Sequence, residues 1–317
     1  ADQIVQELEE IKHEKRLFFF VDDNFAGSIP KARELAEAIA PVGIRWVTQM
    51  SIDAAHNEEF VASLARSGCR GVLIGFESLE RDTLRKMGKK FNTMGGGYGP
   101  ALANLRKHGI RVYGTFIFGY GTETADTFEN AIDFAQGNDF FLAAFNHLTP
   151  FPGTPLYTRL EKEGRIHVNE VDAVVGTSWG ESNILMKNLS PAQLKRGVEW
   201  LCSNLYAPEN FSRRVLNMID LLDREIHPPK HIDFHESSEN HIFKDMTSIA
   251  MKVRRMGHEE KAMWDLIANK FAEKNIGNDL FVTLMYFYAQ LRHMYHVEGV
   301  WKPELRKISS PWEESLD

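Results

Sequence analysis

Cysteine is nearly absent from this chain. Of 317 residues only Cys69 and Cys202 carry a thiol, which excludes a disulfide framework or a cysteine-rich metal knuckle within it and fits a reducing compartment such as the cytoplasm. Long apolar runs are missing too. The longest, Leu280 to Leu291, is interrupted by Thr283 and Gln290 and falls well short of the roughly 20 residues that span a bilayer. There is no basic run, and 37 Lys and Arg face 44 Asp and Glu for a formal charge of −7. A mildly acidic chain without a basic stripe lacks the footprint of a nucleic-acid binder. Residues Ala1 to Glu10 show neither the basic nor the apolar region of a secretory signal. Position 1 is Ala rather than Met, so a processed start or a piece of a longer protein is expected.

What is present is a regular alternation of β-rich runs and amphipathic helical stretches. Apolar strands are predicted at Leu17 to Val21, Ile44 to Met50, Gly71 to Phe76, Ile110 to Phe118 and Leu142 to Leu148. Between them lie helical patterns at Pro30 to Ile39, Glu58 to Ser67, Asp82 to Met87, Pro100 to His108 and Asp126 to Gln136, and one more, Ile4 to Glu14, precedes the first strand. Strand starts are spaced by 27, 27, 39 and 32 residues, close to the roughly 30 of a βα unit, so successive right-handed crossovers in one parallel sheet follow. Nearly continuous apolar strands agree with a sheet covered on both faces. After about Val168 the strand signal ends. Helices are predicted from Pro191 to Tyr206, from Pro208 to Asp223 and within Ile242 to His296, with a polar His-rich linker at His227 to Ser238.

In such sheets chemistry sits at the C-terminal strand ends. Here these read Asp22-Asp23-Asn24, then Gln49 with Ser51 and Asp53, then Glu77-Ser78, then Gly119 to Glu123, then His147 to Thr154. The succession FFFVDDNF, IGFESLERDTLRKMGKKFN, GIRVYGTFIFGYGTET and HLTPFPGTPLYTRLEKEGRI, over about Ala1 to Ile166, resembles the barrel of radical S-adenosylmethionine (SAM) enzymes. The likeness is closest to the subgroup with an upstream cobalamin (B12)-binding domain. It implies an α/β fold, a partial (β/α)6 TIM-like barrel over residues 1–167 carrying family strands 2 to 6, and an all-helical C-terminal region over residues 168–317. It further implies a [4Fe-4S] cluster, SAM and cobalamin as cofactors, reductive SAM cleavage for radical chemistry or methyl transfer, a small-molecule substrate, and an electron donor such as flavodoxin or ferredoxin.

The resemblance also assigns residues. Asp22, Asp23 and Asn24 would face the methionyl group of SAM or the substrate, where carboxylates suit an ammonium; the same residues also serve as Asx-type turn caps. Gln49, Glu77 and Ser78 would border the ribose and carboxylate of SAM, although Glu77 equally fits an acid placed at a helix start. Gly119 and Glu123 belong to an adenine-contacting motif, with glycine allowing close backbone approach and Glu123 able to cap the next helix. Phe151 would edge the adenine, and His147 would either point into the lumen or sit as a satisfied core residue.

One departure stands out. The family's cluster is held by three cysteines in a CxxxCxxC loop after the first strand, and neither Cys69, at the buried start of a strand, nor Cys202, inside a helix, can supply it. The chain is therefore expected to be N-terminally truncated, lacking the cobalamin domain, the first strand and the cluster loop, and unable alone to bind the cluster. Two rivals stay open. One is a non-catalytic barrel that uses its helices for assembly, and the other is an unrelated (β/α) barrel hydrolase using Asp22, Asp23 and Glu77 as acid–base groups. Three other patterns are read as structural: Gly95 to Gly99 as a connection rather than a phosphate loop, Asp233-Phe-His235 as a chance likeness to a cobalamin motif, and His231, His235, His241, His293 and His296 as solvated rather than metal-binding.

Overall fold

The structure, a computed structural model, describes residues 1–14, 17–86, 97–140, 142–166, 183–220 and 238–313. Five parallel strands, β1 (Phe18–Phe20), β2 (Trp46–Gln49), β3 (Cys69–Glu77), β4 (Arg111–Phe118) and β5 (Leu142–His147), hydrogen-bond in sequence order. Helices α1 (Asp2–Ile11), α2 (Ile29–Ile39), α3 (Glu58–Arg66), α4 (Arg81–Lys86), α5 (Tyr98–Lys107) and α6 (Ala125–Gly137) alternate with them. This is the expected α/β architecture, a sequential arc of parallel strands as in part of a (β/α) barrel. Helix α7 (Pro155–Lys162) follows β5, and α8 (Pro191–Leu205), α9 (Pro208–Asp220), α10 (Ser238–Val253), α11 (His258–Glu273) and α12 (Asn278–Val297) make up the helical region. The apolar pattern did not announce α7. Its start is local chemistry, with the Thr154 hydroxyl accepting from the Tyr157 amide at 3.2 Å and Pro155 in the first turn. The Gly95-Gly96 pair and most of the His-rich stretch, His231, Asp233 and His235 included, lie outside the described residues.

Register sorts the strand side chains into two faces, because paired residues in parallel strands point the same way. On one face Val72, Ile74 and Phe76 of β3 align with Val112, Gly114, Phe116 and Phe118 of β4 and with Ala143 and Phe145 of β5, all buried. Phe76, Phe116 and Phe145 stack ring on ring at 5.4 and 5.2 Å, and Phe128 and Phe134 of α6 meet this ladder at 5.0 and 5.3 Å. Gly114 is required there, since a Cβ would stand 2.7 Å from the Phe140 ring. The other face, Val47 and Gln49, Leu73 and Gly75, Tyr113, Thr115 and Ile117, Ala144 and Asn146, is only partly covered and forms the lumen side.

The helical region docks on the β5 side. Gly197 of α8 lets the helix approach α6 so closely that a Cβ would lie 2.5 Å from the Phe128 ring. Buried Tyr206 reaches the β5 edge, where its hydroxyl accepts from the Ala143 amide at 2.9 Å and donates to the Ala143 carbonyl at 2.8 Å. Buried Arg214 of α9 donates to the carbonyls of Phe140 at 3.1 Å and Leu205 at 2.7 Å, with its guanidinium over the Tyr206 ring. One phenol thus satisfies both backbone groups of an edge residue that would otherwise be buried unpaired. Replacing it tests this: Tyr206→Phe is expected to lower stability by about 1–3 kcal/mol, read as a fall in the urea midpoint at unchanged m-value. An unchanged midpoint would show that the edge needs no such partner.

Candidate functional site

The C-terminal strand ends are joined loop to loop. At the β1 and β2 tips the Asn24 side chain donates to the Ser51 hydroxyl at 3.0 Å and accepts from the Ser51 amide at 3.2 Å, while the Phe25 amide donates to the Gln49 carbonyl at 3.0 Å. Asn24 is thus a brace between strand ends. Asp22 and Asp23 beside it are exposed, as is Asp53 in the first turn after β2. Gln49, paired with Leu73, is half-buried on the lumen side.

Glu77 owes its position to a break in the β3 ladder. Gly75 pairs with Thr115 but Glu77 pairs with Phe116, so Phe76 is an extra, bulged residue, and bulges re-aim the side chains that follow. Glu77 itself takes a left-handed backbone, φ 64°. Its carboxylate folds back over Gly75, with Oε1 2.7 Å from where a Cβ would stand and the Thr115 hydroxyl 3.8 Å from the same point. The glycine makes room for the acid. Burial, with the charges of Glu77 and Glu123 adding to it, drives the Tyr120 phenol up, so Tyr120 stays a protonated donor beside them. Ser78 forms a tight turn, its hydroxyl accepting from the Glu80 amide at 3.1 Å and its carbonyl from the Tyr98 hydroxyl at 3.2 Å.

The β4 tip is self-contained. Buried Glu123 accepts the Gly119 and Tyr120 amides on Oε1 at 2.7 and 2.8 Å and the Gly121 amide on Oε2 at 2.7 Å. Gly119 and Gly121 have φ of 118° and 84°, a conformation that turns successive N–H groups inward. Their missing side chains are occupied by the protein, Gly119 facing Leu148 and Gly121 the Arg165 guanidinium. Glu123 therefore shapes the loop. A threonine network that sequence reasoning passed over ties this loop to the β3 tip: Glu80 accepts the Thr127 hydroxyl at 3.0 Å, and the Thr83 and Thr122 hydroxyls meet at 2.6 Å. Only their common place between a strand end and the first turn of the following helix could have flagged them. Asn146, exposed on the lumen side of β5, was also not singled out.

At the β5 tip Phe151 is 52% exposed. His147 pairs with Phe118, which puts it on the helix-facing side and not in the lumen. Its Nε2 is buried without a hydrogen-bond partner, as is Nη2 of Arg165. Among the described residues no cluster of three or more metal-ligating side chains occurs, and no helix is long and apolar enough to cross a membrane.

The strand order and the polar strand ends agree with what family models find in this chain. Residues 1–135 match the radical SAM superfamily. Residues 154–299 match a domain of unknown function, DUF4070. The chain is 35% identical over 164 residues to the bacteriochlorophyllide d C-12(1)-methyltransferase of Chlorobaculum tepidum, covering 52% of this chain and 36% of that protein. It is 28% identical over 161 residues to the hopanoid C-2 methylase of Rhodopseudomonas palustris, covering 47% and 29%. The matched stretch thus spans about a third of the length of these curated relatives. Among solved structures, the radical SAM methyltransferase TsrM from Kitasatospora setae, with cobalamin and a [4Fe-4S] cluster bound, aligns over 86% of this chain and 55% of that one at TM-score 0.47 and 19% identity.

The two thiols do not fit a cluster. Cys69 opens β3 at the far end from the strand tips and Cys202 lies inside α8; both are fully buried, and burial pushes each thiol up to about 12, the opposite of the thiolate that iron needs.

The buried imidazole yields a test by pH. Burial pulls His147 down to about 4, only partly offset by the charge of Glu123. The native state therefore holds it neutral where the unfolded chain, with the ordinary value near 6.5, binds a proton. Its contribution is present above about pH 6.5 and is lost as pH falls toward 4, at most about 3 kcal/mol. Stability of wild type relative to His147→Gln is expected to fall across that window in paired urea titrations. A constant difference from pH 7 to 4 would refute the assignment.

Proposed function

We propose that this chain supplies the SAM- and substrate-facing strand ends of a radical SAM methyltransferase of the cobalamin-dependent kind, acting on a small-molecule substrate. The observation that carries this reading is the Glu77 carboxylate, folded over Gly75 on the lumen side next to Thr115, with Gln49 and Asn146 on the same face of the flanking strands. Four neighbouring strands present acceptors there, a set that suits the ammonium and ribose hydroxyls of SAM. The superfamily match over residues 1–135 and relatives named as a methyltransferase and a methylase support it.

Bound SAM and cobalamin would supply the methyl-transfer chemistry; the share of this chain is binding, orientation and exclusion of water. Glu77 holds the cationic end of SAM, with the Tyr120 phenol as a neighbouring donor. Gln49 and Ser78 border the same ligand. Asp22 and Asp23 stand exposed at the mouth, where an incoming cationic group meets them first, and Phe151 offers an apolar edge for a flat ring. Asn24, Gly119 and Glu123 act by positioning, since their polar groups are engaged within the loops. Helices α8 to α12, within the proposed helical region of residues 168–317, form a second unit that braces the β5 side of the barrel. The cluster finds no ligands in Cys69 and Cys202, so anaerobic reconstitution of this chain with iron and sulfide is expected to give no stoichiometric visible absorption.

Equilibrium binding of SAM to the chain decides the reading. Glu77→Gln keeps shape and removes charge, so SAM affinity is expected to fall about tenfold or more, as for loss of a charge-assisted bond, with circular dichroism unchanged. Equal affinity in parent and variant, or no SAM binding by the folded parent, would overturn it.

A further inference from the structure

The opposite end of the sheet carries an unbalanced charge. Arg45 precedes β2, Arg70 is the second residue of β3 and Arg111 is the first of β4, so three guanidinium side chains rise from the N-terminal ends of three adjacent strands. Strands lie about 4.8 Å apart, well within the reach of an arginine. Arg111 pairs with Gly71, and Val47 also pairs with Gly71, which puts Arg111 and, by alternation, Arg45 on the lumen side of the floor. Arg70 is the extra residue of a register shift, between Cys69 opposite Trp46 and Gly71 opposite Val47. Gly71 lets the three strands pack closely there, since a Cβ would lie 3.3 Å from the Arg111 carbonyl and 3.6 Å from Val47.

Their partners are few. Nε of Arg111 donates to the Arg70 carbonyl at 3.2 Å and Nη1 of Arg70 to the Cys69 carbonyl at 3.3 Å. Among the described residues the one carboxylate in ion-pair range is Asp279, in the first turn of α12, at 3.8 Å from Arg45, with both side chains over 40% exposed. Three positive charges thus face one loosely held negative charge in a chain that is acidic overall. Arg70 and Arg111 are half-buried. Burial first, and then the neighbouring guanidinium charges, lower both, Arg111 to about 10. Arg45 is over 40% exposed and neither Arg70 nor Arg111 is fully buried, so solvent reaches the cluster. Natural proteins seldom leave such a cluster without an anion, because like charges in partial burial repel without compensation.

We propose that Arg45, Arg70 and Arg111 form an oxyanion site at the barrel floor that binds a phosphate or phosphomonoester group, distinct from the strand-tip site. Guanidinium forks match the oxygen spacing of such a group, and a dianion balances the two charges that Asp279 leaves over.

Inorganic phosphate titrated into the 317-residue chain by calorimetry, with thermal unfolding in phosphate against chloride at equal ionic strength, tests this. Phosphate is expected to bind and to raise Tm beyond chloride. Arg70→Gln, whose side chain makes one bond to its own neighbouring carbonyl, is expected to bind phosphate about tenfold more weakly, to lose the phosphate-specific rise in Tm, and in chloride to be at least as stable as the parent because repulsion is relieved. Arg45→Gln, at the exposed rim, gives the same test if Arg70→Gln fails to fold, and Lys307→Gln, far along the chain on a surface turn, should change nothing. Glycerol 3-phosphate binding more tightly than free phosphate assigns the site to a phosphorylated ligand, and the reverse assigns it to the free ion; either supports the proposal. Equal Tm in phosphate and chloride, or phosphate affinity unchanged in both arginine variants, overturns it. SAM binding enters none of these readouts, so this test fails or succeeds separately from the Glu77 test.

Discussion

An open parallel sheet has an edge, and in this protein the β5 edge is closed by a side chain. The Tyr206 hydroxyl takes both the amide and the carbonyl of Ala143, where a further strand would have used the backbone. Everything on that side follows from this contact. Arg214 can be buried because its guanidinium spends its donors on carbonyls around the same junction and lies over the Tyr206 ring. Gly197 brings α8 down onto Phe128, and Phe128 in turn touches the aromatic ladder behind β4. Burying so many apolar rings is the favourable term, but the edge must be satisfied first, since an unpaired backbone pair in that interior would cost a large part of a marginal stability.

The same economy governs the strand tips. The β3 bulge, the left-handed backbone of Glu77 and the bare Gly75 are one device, which turns an acid from the end of a strand back over the lumen face. At the β4 tip two glycines turn three amides toward Glu123, so that acid is consumed in building the loop. Two carboxylates that look alike as strand-end acids therefore have different work. One lies on the lumen face beside a threonine hydroxyl, and the other is sealed by backbone donors.

The cysteine count kept its weight. Both thiols are buried and driven toward protonation, and they serve as small core side chains. The cluster chemistry of the matched superfamily needs thiolates, which neither side chain supplies.

The sequence by itself determined the order of elements. Apolar runs at βα spacing are a local property, and all five strands appeared in that order and in parallel because right-handed crossovers leave few other arrangements. Its strand-end motifs, in consecutive order, carry the likeness to the radical SAM superfamily that residues 1–135 match. Tertiary structure alone decided what each polar tip residue does. Asn24 and Glu123 are spent on bracing loops, Glu77 turned onto the lumen, and His147 fell on the helix side, because a bulge or a one-residue change of register reverses the face of a side chain and no local pattern announces it. The Tyr206 and Ala143 contact and the three arginines at the floor were equally silent in the sequence. Each joins residues tens of positions apart, and proximity of that kind exists only once the sheet has formed.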